Sequence, residues 1–207
     1  MNRPAAFDTM RAVRIVAHGE PETLPCPEDN PIRADSPYGV SKHTPEHYLE
    51  LYDRLYGLRY TTLRYGNVYG PRQDPYGEAG VVAIFTARML ANQPVTINGT
   101  GEQERDFVFI DDVVQANVLA LKSGDGVAVN IGSGRGTTVN ALFHALKSAT
   151  EYPQTALYGQ AKLGETFRIY LAIDRARAVL GWRPVVDLAK GLRLTVASLR
   201  HLSMEES

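Results

Sequence analysis

Tyr38-Gly-Val-Ser-Lys42 puts a phenol and an ammonium four residues apart. On a helix, residues at that spacing share a face, with Cβ atoms about 5–6 Å apart. A cation so placed favours the phenolate, which lowers a tyrosine's titration below its free value of about 10. A phenol tuned in this way can pass a proton to or from a substrate hydroxyl. The ammonium has three donors, which also suit ribose hydroxyls. With 11 tyrosines among 207 residues, one Tyr-x-x-x-Lys match is unsurprising, so the pair needs company.

Other residues could supply it. By composition alone, Asn67 reads as a turn asparagine at a strand end. Tyr65, two positions earlier on the same strand face, reads as a core aromatic. Arg105 precedes an apolar strand and belongs either to a solvated turn or to a clamp on phosphate, which a guanidinium grips with two donors. Asp106 is expected to hold that strand end or to pair with Arg105. Asp111-Asp112 reads as a helix cap with a carboxylate favourable to the helix dipole. Lys162-Leu-Gly-Glu165, taken alone, is a charged loop. The five histidines have no ligand spacing, and no metal site is expected. Gly132, Gly134 and Gly136 follow an apolar run without the spacing or the later acidic residue of a dinucleotide-binding turn.

Elements must hold these groups in place. Hydrophobic content of 44% and charged content of 22% fit a chain with a real core. A net charge of −1 gives no reason to expect nucleic acid or an anionic membrane. No apolar run approaches the roughly 20 residues that span a bilayer, and no secretory signal is evident. The single Cys26 excludes an internal disulfide and fits a reducing cytoplasm. Strands are expected at 12–18, 59–65, 95–97, 106–110, 127–131 and 154–158. Helices are expected over Pro37–Tyr56 (stopped by Gly57 and bent at Pro45), Val81–Leu90, Asp111–Lys122 and Thr138–Thr150. Two more follow, one capped by Asp174 and ending at Gly181, the other beginning at Asp187. This alternation predicts an α/β protein.

Several blocks occur in a telling order. They are Asp35-Ser-Pro-Tyr38-Gly-Val-Ser-Lys42, Leu63-Arg-Tyr-Gly-Asn67-Val-Tyr-Gly-Pro-Arg-Gln73, Gly77-Glu-Ala-Gly-Val-Val-Ala-Ile-Phe85, Gln103-Glu-Arg-Asp-Phe-Val-Phe-Ile-Asp-Asp-Val113, Asn130-Ile-Gly-Ser-Gly134 and Leu180-Gly-Trp-Arg-Pro184. Together they resemble extended short-chain dehydrogenases/reductases, in particular NAD-dependent epimerases of the UDP-glucose 4-epimerase type. The resemblance runs from about Ala17 to Arg200. It implies an incomplete doubly wound, Rossmann-like sheet from residues 1–69 and about 106–131. A small α/β lobe for the nucleotide sugar would come from about 70–105 and 132–207. By resemblance the chemistry is C4 epimerisation of a UDP-hexose through transient oxidation, with NAD as cofactor. Tyr38 would be the acid/base. Lys42 would lower its pKa and hold the nicotinamide ribose, and Tyr65 would sit beside the nicotinamide. Asn67 and Arg105 would bind the diphosphate, aided by Lys162 where an arginine is usual. Glu165 would bind the uridine ribose, while Gly80, Val81 and Asn98 would make mainly backbone contacts near the base. Lysine at 162 lacks the bidentate fork, which weakens a phosphate clamp.

The start of the chain departs from the pattern. No strand, glycine-rich turn and helix of the kind that cradles pyrophosphate opens it. Ala12, Val13, Arg14 and Ile15 hold the places of the family's Ser-Ser/Thr-Gly-Gly run, so the hydroxyl partner of the tyrosine is missing. The resemblance therefore implies a C-terminal portion with little or no activity alone. Two other readings stand beside it: a non-catalytic nucleotide-sugar-binding module, and a fragment that pairs as a homodimer or with an intact homologue through an exposed sheet edge and the 38–57 helix. A 4,6-dehydratase is disfavoured because no Thr-Asp-Glu motif is present upstream, and an NADP-dependent reductase stays open.

Overall fold

The structure, a computed structural model, describes residues 9–15, 20–34, 37–76, 80–162 and 165–205. The elements in chain order are β1 (Thr9–Ile15), α1 (Pro37–Tyr56), β2 (Arg59–Tyr65), β3 (Asn67–Tyr69) and α2 (Val81–Leu90). Then come β4 (Thr96–Asn98), β5 (Glu104–Arg105), β6 (Phe107–Phe109), α3 (Ile110–Ala120), β7 (Val127–Ile131) and β8 (Thr137–Thr138). The last are α4 (Val139–Thr150), β9 (Leu157–Gly159), α5 (Asp174–Leu180) and α6 (Leu188–Glu205). The order is α/β and Rossmann-like: β1, β2 and β7 form one parallel sheet with β2 in the middle. β3 pairs in parallel with β6, β4 in parallel with β9, and β5 antiparallel with β8.

Local chemistry explains the clearest boundaries. α1 starts on Pro37, whose missing N–H is one the first turn does not need, and ends at Gly57 with φ 67°. Thr138 caps α4 by accepting from the Ala141 N–H at 3.1 Å. Asp187 does the same for α6, accepting from the Lys190 N–H at 2.8 Å.

Other expectations need correction. The first strand runs over Thr9–Ile15 rather than 12–18, and residues 16–18 lie outside the described residues. So do Asp35, Ser36, Gly77–Ala79, Leu163 and Gly164, parts of blocks quoted above. Asp111 and Asp174 do not cap their helices, whose N-caps are Phe109 and Ile173 without side-chain bonds. α3 also stops at Ala120 rather than Lys122. Asp112 turns away from its own helix and accepts from the Val185 and Val186 N–H groups at 3.0 and 3.1 Å. Short strands shift by one to three residues, and β3, β5 and β8 have no counterpart among the expected strands.

Strand β6 divides the interior by its pleat, because successive side chains point to opposite faces. Phe107 and Phe109 join a core with Tyr69, Phe85, Leu142 and Leu146. Val108, between them, joins Leu63, Tyr65, Val113, Val129 and Ile131 on the other side. Ala176, Leu180 and Trp182 of α5 and its exit also belong to this second core, so residues 174–182 pack against the three-stranded sheet. Each buried large apolar side chain contributes about 1.5–3 kcal/mol. Leu142→Ala would cost about 2–5 kcal/mol by leaving a cavity. A third, small cluster of Leu49, Leu58 and Tyr60 lies between α1 and β2.

Candidate active site

Tyr38 and Lys42 stand together on the first turns of α1. The Lys42 Nζ lies 5.2 Å from the centroid of the Tyr38 ring, a cation–π geometry that the four-residue spacing dictates. Tyr38 is exposed and Lys42 half-buried, so the pair faces outward from the helix.

Tyr65, at the end of β2, is buried in the core. Its hydroxyl donates to Asn117 Oδ1 at 3.0 Å and accepts from Asn117 Nδ2 at 2.7 Å. Burial pushes its pKa up, against a smaller opposing effect from Asn117. The expected neighbour of the nicotinamide is thus packed inside with both polar roles of its hydroxyl in use.

Gly66 then lets the chain pass close to Asp106, since a Cβ there would lie 2.7 Å from the Asp106 carbonyl oxygen. Asn67 follows, exposed, with its N–H donating to that same carbonyl at 2.6 Å and its Cα paired with Phe107. Asn67 is in this way set one strand over from Arg105. Arg105 pairs with Thr137 across β5 and β8, and its side chain is only 14% exposed. Its Nη1 donates to the Glu104 carbonyl at 2.8 Å and its Nη2 to Glu165 Oε1 at 2.7 Å. The expected diphosphate and ribose residues therefore meet directly. Lys162 is exposed nearby in sequence. Asn98 ends β4, with its carbonyl accepting from Gln103 Nε2 at 2.9 Å. Gly80 is the N-cap of α2 and Val81 its first residue, where backbone N–H groups are unpaired within the helix.

Asp106 does hold a strand end, as expected, but it does not pair with Arg105. Its buried carboxylate accepts from the Ser133 N–H and Oγ at 2.5 and 2.6 Å and from the Gly134 and Leu171 N–H groups, both at 3.1 Å. Burial raises its pKa while these bonds pull the other way. Sequence reasoning missed two supporting groups. Glu20 accepts from the Phe167 and Arg168 N–H groups at 2.8 and 3.3 Å, and Arg168 donates from Nε to Glu104 at 3.0 Å. Both fix the segment that carries Glu165. Their only signal in the sequence is charge of opposite sign, which does not reveal a partner so far along the chain.

Whether these residues fit a dinucleotide can be read from the glycines. The described glycine-rich segment, Gly132–Gly136, wraps a protein carboxylate: a Cβ on Gly132 would lie 2.5 Å from Asp106 Oδ2. Its amides already donate to Asp106, so they are not available to a pyrophosphate. Tyr38 and Lys42, exposed and half-buried, stay within reach of a ligand. No group of three or more His, Cys, Asp or Glu that could hold a metal occurs among the described residues.

The sequence model of the NAD dependent epimerase/dehydratase family matches residues 13–132, more than half of the chain. The chain belongs to that family. A relative from Methanocaldococcus jannaschii is 49% identical over 179 residues, covering 86% of this chain and 58% of its own length. UDP-glucose 4-epimerase of Mycolicibacterium smegmatis is 43% identical over 210 residues, covering 97% of this chain and 67% of that protein. Among solved structures, UDP-glucose 4-epimerase of Thermotoga maritima with UDP-glucose superposes with a TM-score of 0.89 at 48% identity, over 93% of this chain and 64% of that one. The UDP-glucose 4-epimerase of Thermus thermophilus in complex with NAD gives 0.82 at 40% identity, over 92% and 64%. The chain thus spans about three fifths to two thirds of the length of these relatives.

Proposed function

We propose that this member of the NAD dependent epimerase/dehydratase family carries the acid/base pair and the substrate-diphosphate residues of a UDP-hexose 4-epimerase. The observation that carries the reading is the meeting of Arg105 and Glu165, one cation and one carboxylate 60 positions apart, beside the exposed Asn67. A guanidinium fork and a free carboxylate oxygen match a diphosphate next to a ribose. In this scheme Arg105 neutralises the diphosphate, Asn67 donates to it, and Glu165 accepts from the ribose hydroxyls. The backbone at Gly80 and Val81 borders the base with Asn98, and Lys162 adds charge.

Tyr38 takes the proton of the sugar C4 hydroxyl and later returns it. Lys42 holds that phenol's surroundings positive and donates to ribose hydroxyls. NAD, when bound, supplies the hydride acceptor and donor. Tyr65 serves by packing beneath the site with Asn117. A second reading, binding without turnover, is favoured by one observation: Ala12–Ile15, the backbone opposite Thr62–Tyr65, offers no side-chain hydroxyl to share the proton transfer.

The partner reading rests on apolar residues left outside. Tyr48, Tyr52, Leu55 and Tyr56 of α1 are exposed in a row, which fits pairing with a second copy or a homologue. No helix among the described residues is long and apolar enough to cross a membrane.

Thermal unfolding with UDP-glucose tests the substrate reading, because a ligand of the native state raises the melting temperature. A rise that Arg105→Ala abolishes supports it. A rise that survives Arg105→Ala unchanged overturns the assignment.

A further inference from the structure

Two charged residues that the proposed reaction does not use meet between α1 and β2. Along β2 the pleat turns Leu63 and Tyr65 toward the core shared with α3, so Arg64 between them points to the opposite face. There its guanidinium grips Glu46 of α1 with two donors, Nε to Oε1 and Nη2 to Oε2, each at 2.9 Å. The third arm, Nη1, donates to the Glu28 carbonyl at 2.7 Å. Side-chain exposures of 7% for Arg64 and 11% for Glu46 make this a buried pair. Glu28 extends it, accepting from the Asn130 N–H of β7 at 2.9 Å and lying 3.6 Å from Arg175 Nε of α5.

We infer that Arg64 and Glu46 are positioning residues for the proposed reaction: their ion pair sets how α1 sits on the sheet, and so where Tyr38 and Lys42 stand. The inference rests on the role given above to Tyr38 and Lys42 only for its consequence, not for its geometry. In the 20-residue α1 only Gly39, Glu46 and Leu49 are buried. A contact made by one leucine is non-directional and leaves slide and rotation of a helix loosely specified. A planar guanidinium fork fixes both. Tyr38, Lys42 and Glu46 also follow one another at intervals of four, along one ridge of the helix. Holding Glu46 therefore orients the ridge that presents the other two. Pro45 removes the helix bond to the Ser41 carbonyl, between Lys42 and Glu46. The first turns of α1 thus lean less on their own ladder at the point where the anchor follows.

A buried ion pair is a poor source of stability, since apolar residues of similar volume often replace it at no loss, whereas removing one partner is costly. This separates anchoring from bulk stability. The measurements are melting temperature and amide hydrogen exchange of the whole chain, without ligand, for wild type, Glu46→Gln, Arg64→Lys and the double variant Glu46→Met/Arg64→Met. The double variant should melt within a few degrees of wild type. Its amides at 41–44 should nevertheless exchange more than tenfold faster, while those at 59–65 and 127–131 stay within about twofold. Glu46→Gln, which strands the buried guanidinium, should show the same local pattern and melt lower than the double variant, and Arg64→Lys should lie between Glu46→Gln and wild type because it keeps the charge without the fork. Wild-type protection at 41–44 in the double variant overturns the inference, as does protection lost equally from helix and sheet in every variant. A failure of UDP-glucose to bind would remove the functional reading and leave this result intact.

Discussion

Arg105 and Glu165 form an ion pair, Nη2 to Oε1 at 2.7 Å, with the arginine side chain 14% and the glutamate side chain 32% exposed. In the proposed scheme a nucleoside diphosphate would need both groups, which here occupy each other. A ligand can use the second carboxylate oxygen and the remaining guanidinium donors, but a free anion approaching Arg105 meets Glu165 first. Glu165→Gln should therefore tighten inorganic pyrophosphate binding several-fold while weakening that of uridine monophosphate. Calorimetric titration of both probes checks this. Equal effects of the same sign on the two would show that Glu165 does not stand between base and phosphate sites.

The described glycine-rich segment is engaged by Asp106, and in their proposed role Tyr38 and Lys42 would reach only one end of a dinucleotide. The purified chain is expected not to bind NAD with micromolar affinity. Isothermal titration decides it, and a 1:1 complex in that range would contradict the assignment of those amides.

A composite in which the family's N-terminal half, with its Ser-Ser/Thr-Gly-Gly run, is joined ahead of Gly19 should show measurable interconversion of UDP-glucose and UDP-galactose. Tyr38→Phe in that composite should remove most of the activity, since the ring stays and the proton carrier goes. Retained activity would exclude Tyr38 as the acid/base.

Neighbouring aspartates should differ sharply. Asp112 is buried and accepts from two backbone N–H groups, so Asp112→Ala should cost about 2–4 kcal/mol by stranding them. Asp111 is exposed in the first turn of α3, and Asp111→Ala should stay within about 0.5 kcal/mol. Urea unfolding of the two variants provides the comparison.

Burial pushes the Cys26 thiol up to about 11, with Arg64 partly opposing it. A folded value above the unfolded one of about 8.5 means that the native state holds the proton longer. The associated stability is fully present below the unfolded value and is lost as pH rises toward 11. Stability should therefore fall more steeply above pH 9 in wild type than in Cys26→Ala, read by denaturant midpoints across that range. A thiol reagent should react with Cys26 at pH 8 only after unfolding.

Much of the local structure was legible in the residues. Pro37 and Gly57 bracket α1 as expected, Thr138 opens α4, and the Thr- and Tyr-rich run Arg59–Tyr65 is β2, because these signals act within one turn or one pleat. Asp111 misled because a carboxylate at a helix start is a cap by type, while its neighbour Asp112 is claimed by amides 73 and 74 positions away. The two-residue strand at Arg105 escaped notice for a like reason: its pairing with Thr137 leaves no local periodicity.

Family, the order of strands and helices, and the Tyr38–Lys42 spacing all follow from residue types at short, regular intervals, so the chain alone reveals them. Packing had to show that Arg105 meets Glu165, that Asp106 closes the Gly132–Gly136 loop, and that Arg64 holds Glu46. Those contacts join residues at least 18 positions apart, and a charge carries no record of which distant partner the packed backbone will bring within about 3 Å of it.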